Sequence, residues 1–142
     1  MATVFDVAQY ILEKKGTITA MKLQKICYYS QAWSLVWDEK LLFNERIEAW
    51  VNGPVVADLY ALHRGSYQLS TITQGNSVNL SQSQKDIIDK VISFYGEYNS
   101  QQLSDLTHLE DPWILARQGM SNSERGNKEI TPASMAEYYS SL

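Results

Sequence analysis

Val4, Val7, Ala8, Ile11 and Leu12 stand at i, i+3, i+4, i+7 and i+8, a single helical stripe. The spacing predicts a first helix over about residues 3–15. Thr3 and Asp6 have the separation of a capping box, Lys14 and Lys15 sit where the helix dipole favours cations, and Gly16 ends the run. A second helix is expected after Thr19, reaching about Trp37. Leu23, Ile26, Cys27 and Trp37 mark one face, and Tyr28, Tyr29, Ala32, Leu35 and Val36 mark another. A helix apolar on two sides belongs at the centre of a core. Its polar remainder, Lys22, Gln24, Lys25, Gln31 and Ser34, is expected to line one narrow exposed strip.

From Asp38 the period changes. Ile47, Ala49 and Val51 alternate with Glu48, Trp50 and Asn52, a period of two. Two short strands, near 41–43 and 47–51, are expected to form a hairpin. Asn52, Gly53 and Pro54 then interrupt the most hydrophobic stretch of the chain. Proline has its φ preset for the first helical position, so the triplet reads as the end of a strand and the start of a third helix. That helix carries Val56, Leu59, Tyr60 and His63, and Gly65 closes it. Residues 66–80 read as a polar loop or weak hairpin. Ser81 and Gln84 make a second capping box, opening a fourth helix to about Tyr98. A shorter helix over 100–109, a turn opened by Pro112, a polar loop over 119–130 and a last helix behind Thr131 and Pro132 complete the reading. The expectation is a mainly α protein, one compact domain over 1–142, with a small β-hairpin at about 41–51.

Composition narrows the class. The chain has 142 residues, 44% hydrophobic and 20% charged, ordinary for one soluble domain. Its one cysteine allows neither an internal disulfide nor a cysteine metal cluster, which fits a reducing cytosol. It holds no run of 18 apolar residues and no cationic signal-peptide head, so a cytoplasmic protein without membrane contact is expected. The net charge of −4 is uneven, with +2 in residues 1–37 and −6 in the rest. Such asymmetry can steer a partner.

Little catalytic chemistry is visible. Cys27 lies among apolar residues with no activating neighbour in sequence, and a buried cysteine is usually inert. His63 and His108 have no second ligand at metal spacing. The close acid pairs, Glu45 with Glu48 and Glu110 with Asp111, carry no sign of acid–base work. No phosphate loop or nucleophile elbow occurs. No catalytic residue, metal or cofactor is therefore assigned, and the chain is not expected to be an enzyme. The first two helices outline a helix-turn-helix, with Lys22, Gln24 and Lys25 near the start of the second. The pI of about 5.1 argues against a phosphate-binding footprint, so DNA is a disfavoured partner. Four Trp and nine Tyr remain, an aromatic surplus of the kind that anchors protein interfaces.

Four blocks, "MKLQKICYYSQAWSLVW", "ERIEAWVNGPVVADLY", "LSDLTHLEDPWILAR" and "ITPASMAEYY", occur in that order. Together they resemble the Panacea-domain family, the SocA-like, phage-associated antitoxins, over nearly the whole chain. The resemblance implies a binding protein that neutralises a cognate protein toxin by direct complex formation. It also implies a second kind of partner, a cytosolic protease, since at least one similar member delivers its toxin to one. Autoregulation by DNA binding through the first two helices, or inhibition of a host defence protein by a phage-borne product, are the alternatives. Lys22, Lys25, Tyr29, Trp33 and Trp50 are the candidate partner-binding residues. Gly53, Pro54, Tyr60, His108 and Trp113 are family-pattern residues expected to specify the fold. The expected interface is a composite of the second helix, the 41–55 hairpin and the 66–80 loop.

Overall fold

The computed structural model describes residues 2–142. Helix α1 spans Val4–Lys15, strand β1 Ile18–Thr19 and helix α2 Ala20–Trp37. Strands β2 (Ile47–Trp50) and β3 (Gly53–Val56) lead into α3 (Ala57–His63), and β4 covers Gln68–Leu69. Helices α4 (Gln82–Tyr95), α5 (Ser100–Thr107) and α6 (Asp111–Ala116) follow, then β5 (Glu129–Ile130) and α7 (Pro132–Ser140). The architecture is mainly helical with a small strand component, as the periodicity predicts. No helix among the described residues is long and apolar enough to cross a membrane.

The helix starts follow their capping residues. Thr3 and Asp6 form the reciprocal box, with the Thr3 amide donating to Asp6 Oδ2 at 2.9 Å. Ser81 and Gln84 do the same for α4, and Asn99 and Gln102 for α5. Each box satisfies amides that the first turn leaves without partners. Helix α4 stops at Tyr95 rather than Tyr98: the amide of Gly96 donates to Ile92 O, and its carbonyl accepts Lys22 Nζ at 2.6 Å.

Helix α2 is the hub. It packs against α1, α4, α5, α7 and β3. Leu23, Ile26, Cys27, Tyr29 and Ala32 are wholly buried along it. Its polar residues do not form the predicted exposed strip. Gln24, Lys25, Gln31 and Ser34 are buried as completely as their apolar neighbours. Three of the four satisfy backbone that belongs to no helix. Gln31 Oε1 accepts the Leu42 amide at 2.7 Å while its Nε2 donates to Phe43 O at 2.7 Å. Ser34 Oγ donates to Lys40 O at 2.6 Å. Residues 41–43 are therefore not a strand, because the Gln31 carboxamide takes the peptide bonds that a partner strand would have taken.

The hairpin sits one element later than expected. Strand β2 pairs antiparallel with β3, from Ile47 opposite Val56 to Trp50 opposite Gly53, around a turn of Val51 and Asn52. On its other side β2 pairs with β5. Pro54 accordingly does not open α3; it lies inside β3, opposite Ala49. The Ala49 amide donates to Lys128 O, away from β3, so this is a pair without mutual hydrogen bonds and a proline loses no ladder donor there. The next outward amide of β3, on Val56, donates to Gln24 Oε1 at 2.8 Å, and Gln24 Nε2 returns a bond to Val56 O at 3.3 Å. Proline and a helix-borne carboxamide thus close an edge that could otherwise recruit another strand. Neither turn residue has a positive φ; the reversal is completed at Gly53, φ +117°.

The 66–80 loop is tied down. Asp6 Oδ1 accepts the Asn76 amide at 2.8 Å, Gln9 Oε1 accepts the Ile72 amide at 2.7 Å, and Ile72 and Leu80 are buried. Gln68 and Leu69 pair with β1.

Candidate partner-binding site

Four consecutive carbonyls at the tip of the hairpin each accept a hydrogen bond from a different side chain of the α5–α6 region. Ser104 Oγ donates to Asn52 O at 2.6 Å, the His108 ring to the Val51 backbone, Trp113 Nε1 to Trp50 O at 2.8 Å, and Arg117 Nη1 to Ala49 O at 2.9 Å. The donors recur every four or five residues, so α5, α6 and their C-caps together grip the hairpin tip. The His108 and Trp113 rings lie 4.0 Å apart, and the Arg117 guanidinium lies 5.2 Å from the Trp113 ring. Arg117 Nη2 also donates to Ser121 O at 3.1 Å and to Glu124 O, fixing the loop that follows α6.

The Lys25 ammonium stem runs under this grip. A Cβ on Gly53 would lie 2.6 Å from Lys25 Cε and 2.8 Å from Thr107 Oγ1. Lys25 Nζ is buried and has no hydrogen-bond partner, and burial pushes its pKa from 10.5 down to about 7. Beside it, burial also lowers the pKa of His108, whose Nε2 is unpartnered. A second buried cluster lies between α2 and α7. Tyr29 and Tyr139 hydroxyls both donate to Glu110 Oε1, at 2.7 and 2.8 Å, and burial outweighs these bonds to raise the Glu110 pKa.

Two candidate contact residues are thereby corrected. Lys25 and Tyr29 are both fully buried and cannot touch a partner docked on this surface. Burial of Lys25 and Gln24 likewise removes the side chains that a groove-reading second helix would present. Lys22 is half-buried, and its ammonium is held on Gly96 O. Trp33 is half-buried against α4, donating from Nε1 to Tyr95 Oη at 2.9 Å and stacking on Trp37 at 5.0 Å. Of the five, Lys22 lines a smaller concave surface beside Tyr67, while Trp50 stands in a larger one with both aromatic and arginine side chains.

That surface is a cleft of about 750 Å³ between the hairpin, α3, the start of α2 and the loop before β5, a size typical of ligand-holding clefts. Met21, Trp50, Tyr60, Arg64, Arg125 and Asn127 are among its lining residues. Trp50 and Tyr60 meet edge to face at 4.8 Å, and the indole N–H is fixed by Glu48 Oε1 at 2.8 Å. Gly53, Pro54, His108 and Trp113 act on this surface from behind, holding the strand that carries Trp50; Tyr60 lies in the cleft itself. Met21, Arg64 and Arg125 escaped the sequence pattern. Arg125 comes from a polar loop with no periodicity, tied to the hairpin by Arg117, sixty-seven residues beyond Trp50 in sequence, and by the Asn127 and Lys128 carbonyls, which accept from Arg46 Nη2 and the Ala49 amide. Among the described residues, no group of three or more His, Cys, Asp and Glu is arranged to hold a metal ion.

Comparison with known families gives one match: residues 23–114 fit the family described as antitoxin SocA-like, Panacea domain. The matched segment contains α2 from Leu23 onward, the hairpin, α3 and three of the four gripping residues. No curated protein and no solved structure matches the chain.

Proposed function

Because the chain belongs to the SocA-like antitoxin, Panacea-domain family, we propose that it neutralises a cognate protein toxin by direct complex formation through the Trp50 cleft. The observation that carries the location is the company Trp50 keeps. Trp, Tyr and Arg are the residues that dominate binding hot spots, and here all three line one concavity held rigid from behind. Rigidity matters because ordering a surface on binding subtracts from affinity. The buried Lys25 and Tyr29 then serve the scaffold, and specificity rests on the side chains of the cleft.

The test is growth rescue and co-purification with the toxin encoded in the adjacent reading frame. Trp50→Ala should weaken the complex by about 2 kcal/mol, roughly thirtyfold, and reduce rescue while the fold persists. Undiminished rescue and affinity from a folded Trp50→Ala chain would place the interface elsewhere.

A further inference from the structure

The cleft has a charge that its molecule lacks. The chain as a whole carries a net −4, yet the cleft is lined by two arginines and no carboxylate. Arg64 and Arg125 are exposed, and neither guanidinium makes an ion pair or hydrogen bond with another described residue. The nearest acid on β2, Glu48, is already engaged by the Trp50 indole and by Arg46 Nε at 3.1 Å. Two guanidinium forks therefore face the cleft with all their donors free. The same cleft is lined by the edge-to-face pair of Trp50 and Tyr60 and by Met21, whose flexible thioether side chain adapts to a guest.

Resting on the reading that the cleft is the docking face, we infer that its occupant is an acidic segment of the partner protein. One apolar or aromatic side chain of that segment lies against Trp50, Tyr60 and Met21. Flanking Asp or Glu side chains take bidentate bonds from Arg64 and Arg125, the geometry that suits a planar fork to a carboxylate. The Asn52 and Asn127 carboxamides at the margin can bond the segment's peptide groups. The net −6 of residues 38–142 disfavours an acidic partner over most of the surface, so the two arginines favour the cleft as the place where such a segment lands. A nucleic acid is the other polyanion that arginines could hold. Two cations without a basic stripe neutralise too few phosphates, and the exposed remainder of the molecule is acidic.

The probe is a random dodecapeptide library displayed on yeast, sorted against the purified full chain and counter-sorted against the Arg64→Glu/Arg125→Glu variant. Both arginines are exposed and without intramolecular partners, so the variant should keep the circular dichroism and Tm of the parent. Selected peptides should carry a net charge of −2 or lower around an apolar residue, and should lose at least about tenfold in affinity for the variant. Neutral or basic winners, no enrichment, or equal binding by the variant would overturn the inference. So would tighter binding of a twelve-nucleotide oligo(dT) than of the selected peptides, lost in the same variant. Loss of toxin rescue in Trp50→Ala together with neutral peptide winners would leave the docking face standing and remove the acidic segment alone.

Discussion

The polar residues of α2 show how much a single side chain can decide. Gln24 and Gln31 would be expected on a solvated face, yet each substitutes for a strand, giving and taking peptide hydrogen bonds inside the core. Lys25 has no such compensation. Its pKa of about 7 in the fold, against 10.5 outside it, means that between those values the unfolded chain binds the extra proton. Stability should therefore rise with pH above about 7, as the penalty for keeping Lys25 uncharged in the fold diminishes. Lys25→Met should stabilise the protein at pH 7 by about 2–4 kcal/mol and flatten that rise. Denaturant titrations from pH 7 to roughly 8, before the tyrosines and the Cys27 thiol exposed on unfolding ionise appreciably, measure both effects. Glu110 offers a complementary test. Both tyrosine hydroxyls donate to its Oε1, an atom that glutamine also supplies. Glu110→Gln should be nearly neutral, whereas Glu110→Leu should cost about 2–4 kcal/mol by leaving two buried hydroxyls without an acceptor.

At the scale of elements, the hairpin tip is a tight joint, and the reason glycine and proline occupy it is physical. Gly53 needs a positive φ and has no room for a Cβ between Lys25 and Thr107. Gly53→Ala should cost about 2–4 kcal/mol, a fall of roughly 5–15 °C in Tm on thermal melting. Trp113→Phe keeps most of the packing but removes the donor to Trp50 O; a loss of about 1–2 kcal/mol is expected, read as a shift in denaturant midpoint. The helices were legible because their caps and 3.6-residue stripes are local: Thr3 with Asp6, Ser81 with Gln84, and Thr131 before Pro132 all begin helices where they stand. The hairpin was half legible. The alternation of Ile47, Ala49 and Val51 marks β2, but its partner was hidden by Pro54, whose fitness for a strand depends on which way its nitrogen points, a fact of pairing register. The cleft was the least legible. Arg64 lies one turn beyond Tyr60 at the end of α3, but Arg125 meets Trp50 only through contacts distant in sequence, and no residue pattern encodes that meeting.

The whole molecule presents two unlike surfaces. One is the Trp50 cleft with its free arginines. The other exposes apolar side chains on α4 and around α5 and α6, among them Phe94, Tyr98, Leu109 and Leu115. The 66–80 loop belongs to neither role as first expected: removing residues 70–76 takes out buried Ile72 and the Asn76 bond to Asp6, so such a deletion should lower Tm rather than probe binding. The central claim is that the toxin covers the cleft while the buried face of α2 serves the fold. Hydroxyl-radical footprinting reads this directly, because Met, Trp and Tyr side chains report their own solvent contact. In the complex, oxidation of Met21, Trp50 and Tyr60 should fall several-fold relative to the free protein, with Phe94 and Tyr98 unchanged. Protection of Phe94 and Tyr98, with Trp50 and Tyr60 oxidised as in the free chain, would contradict the account.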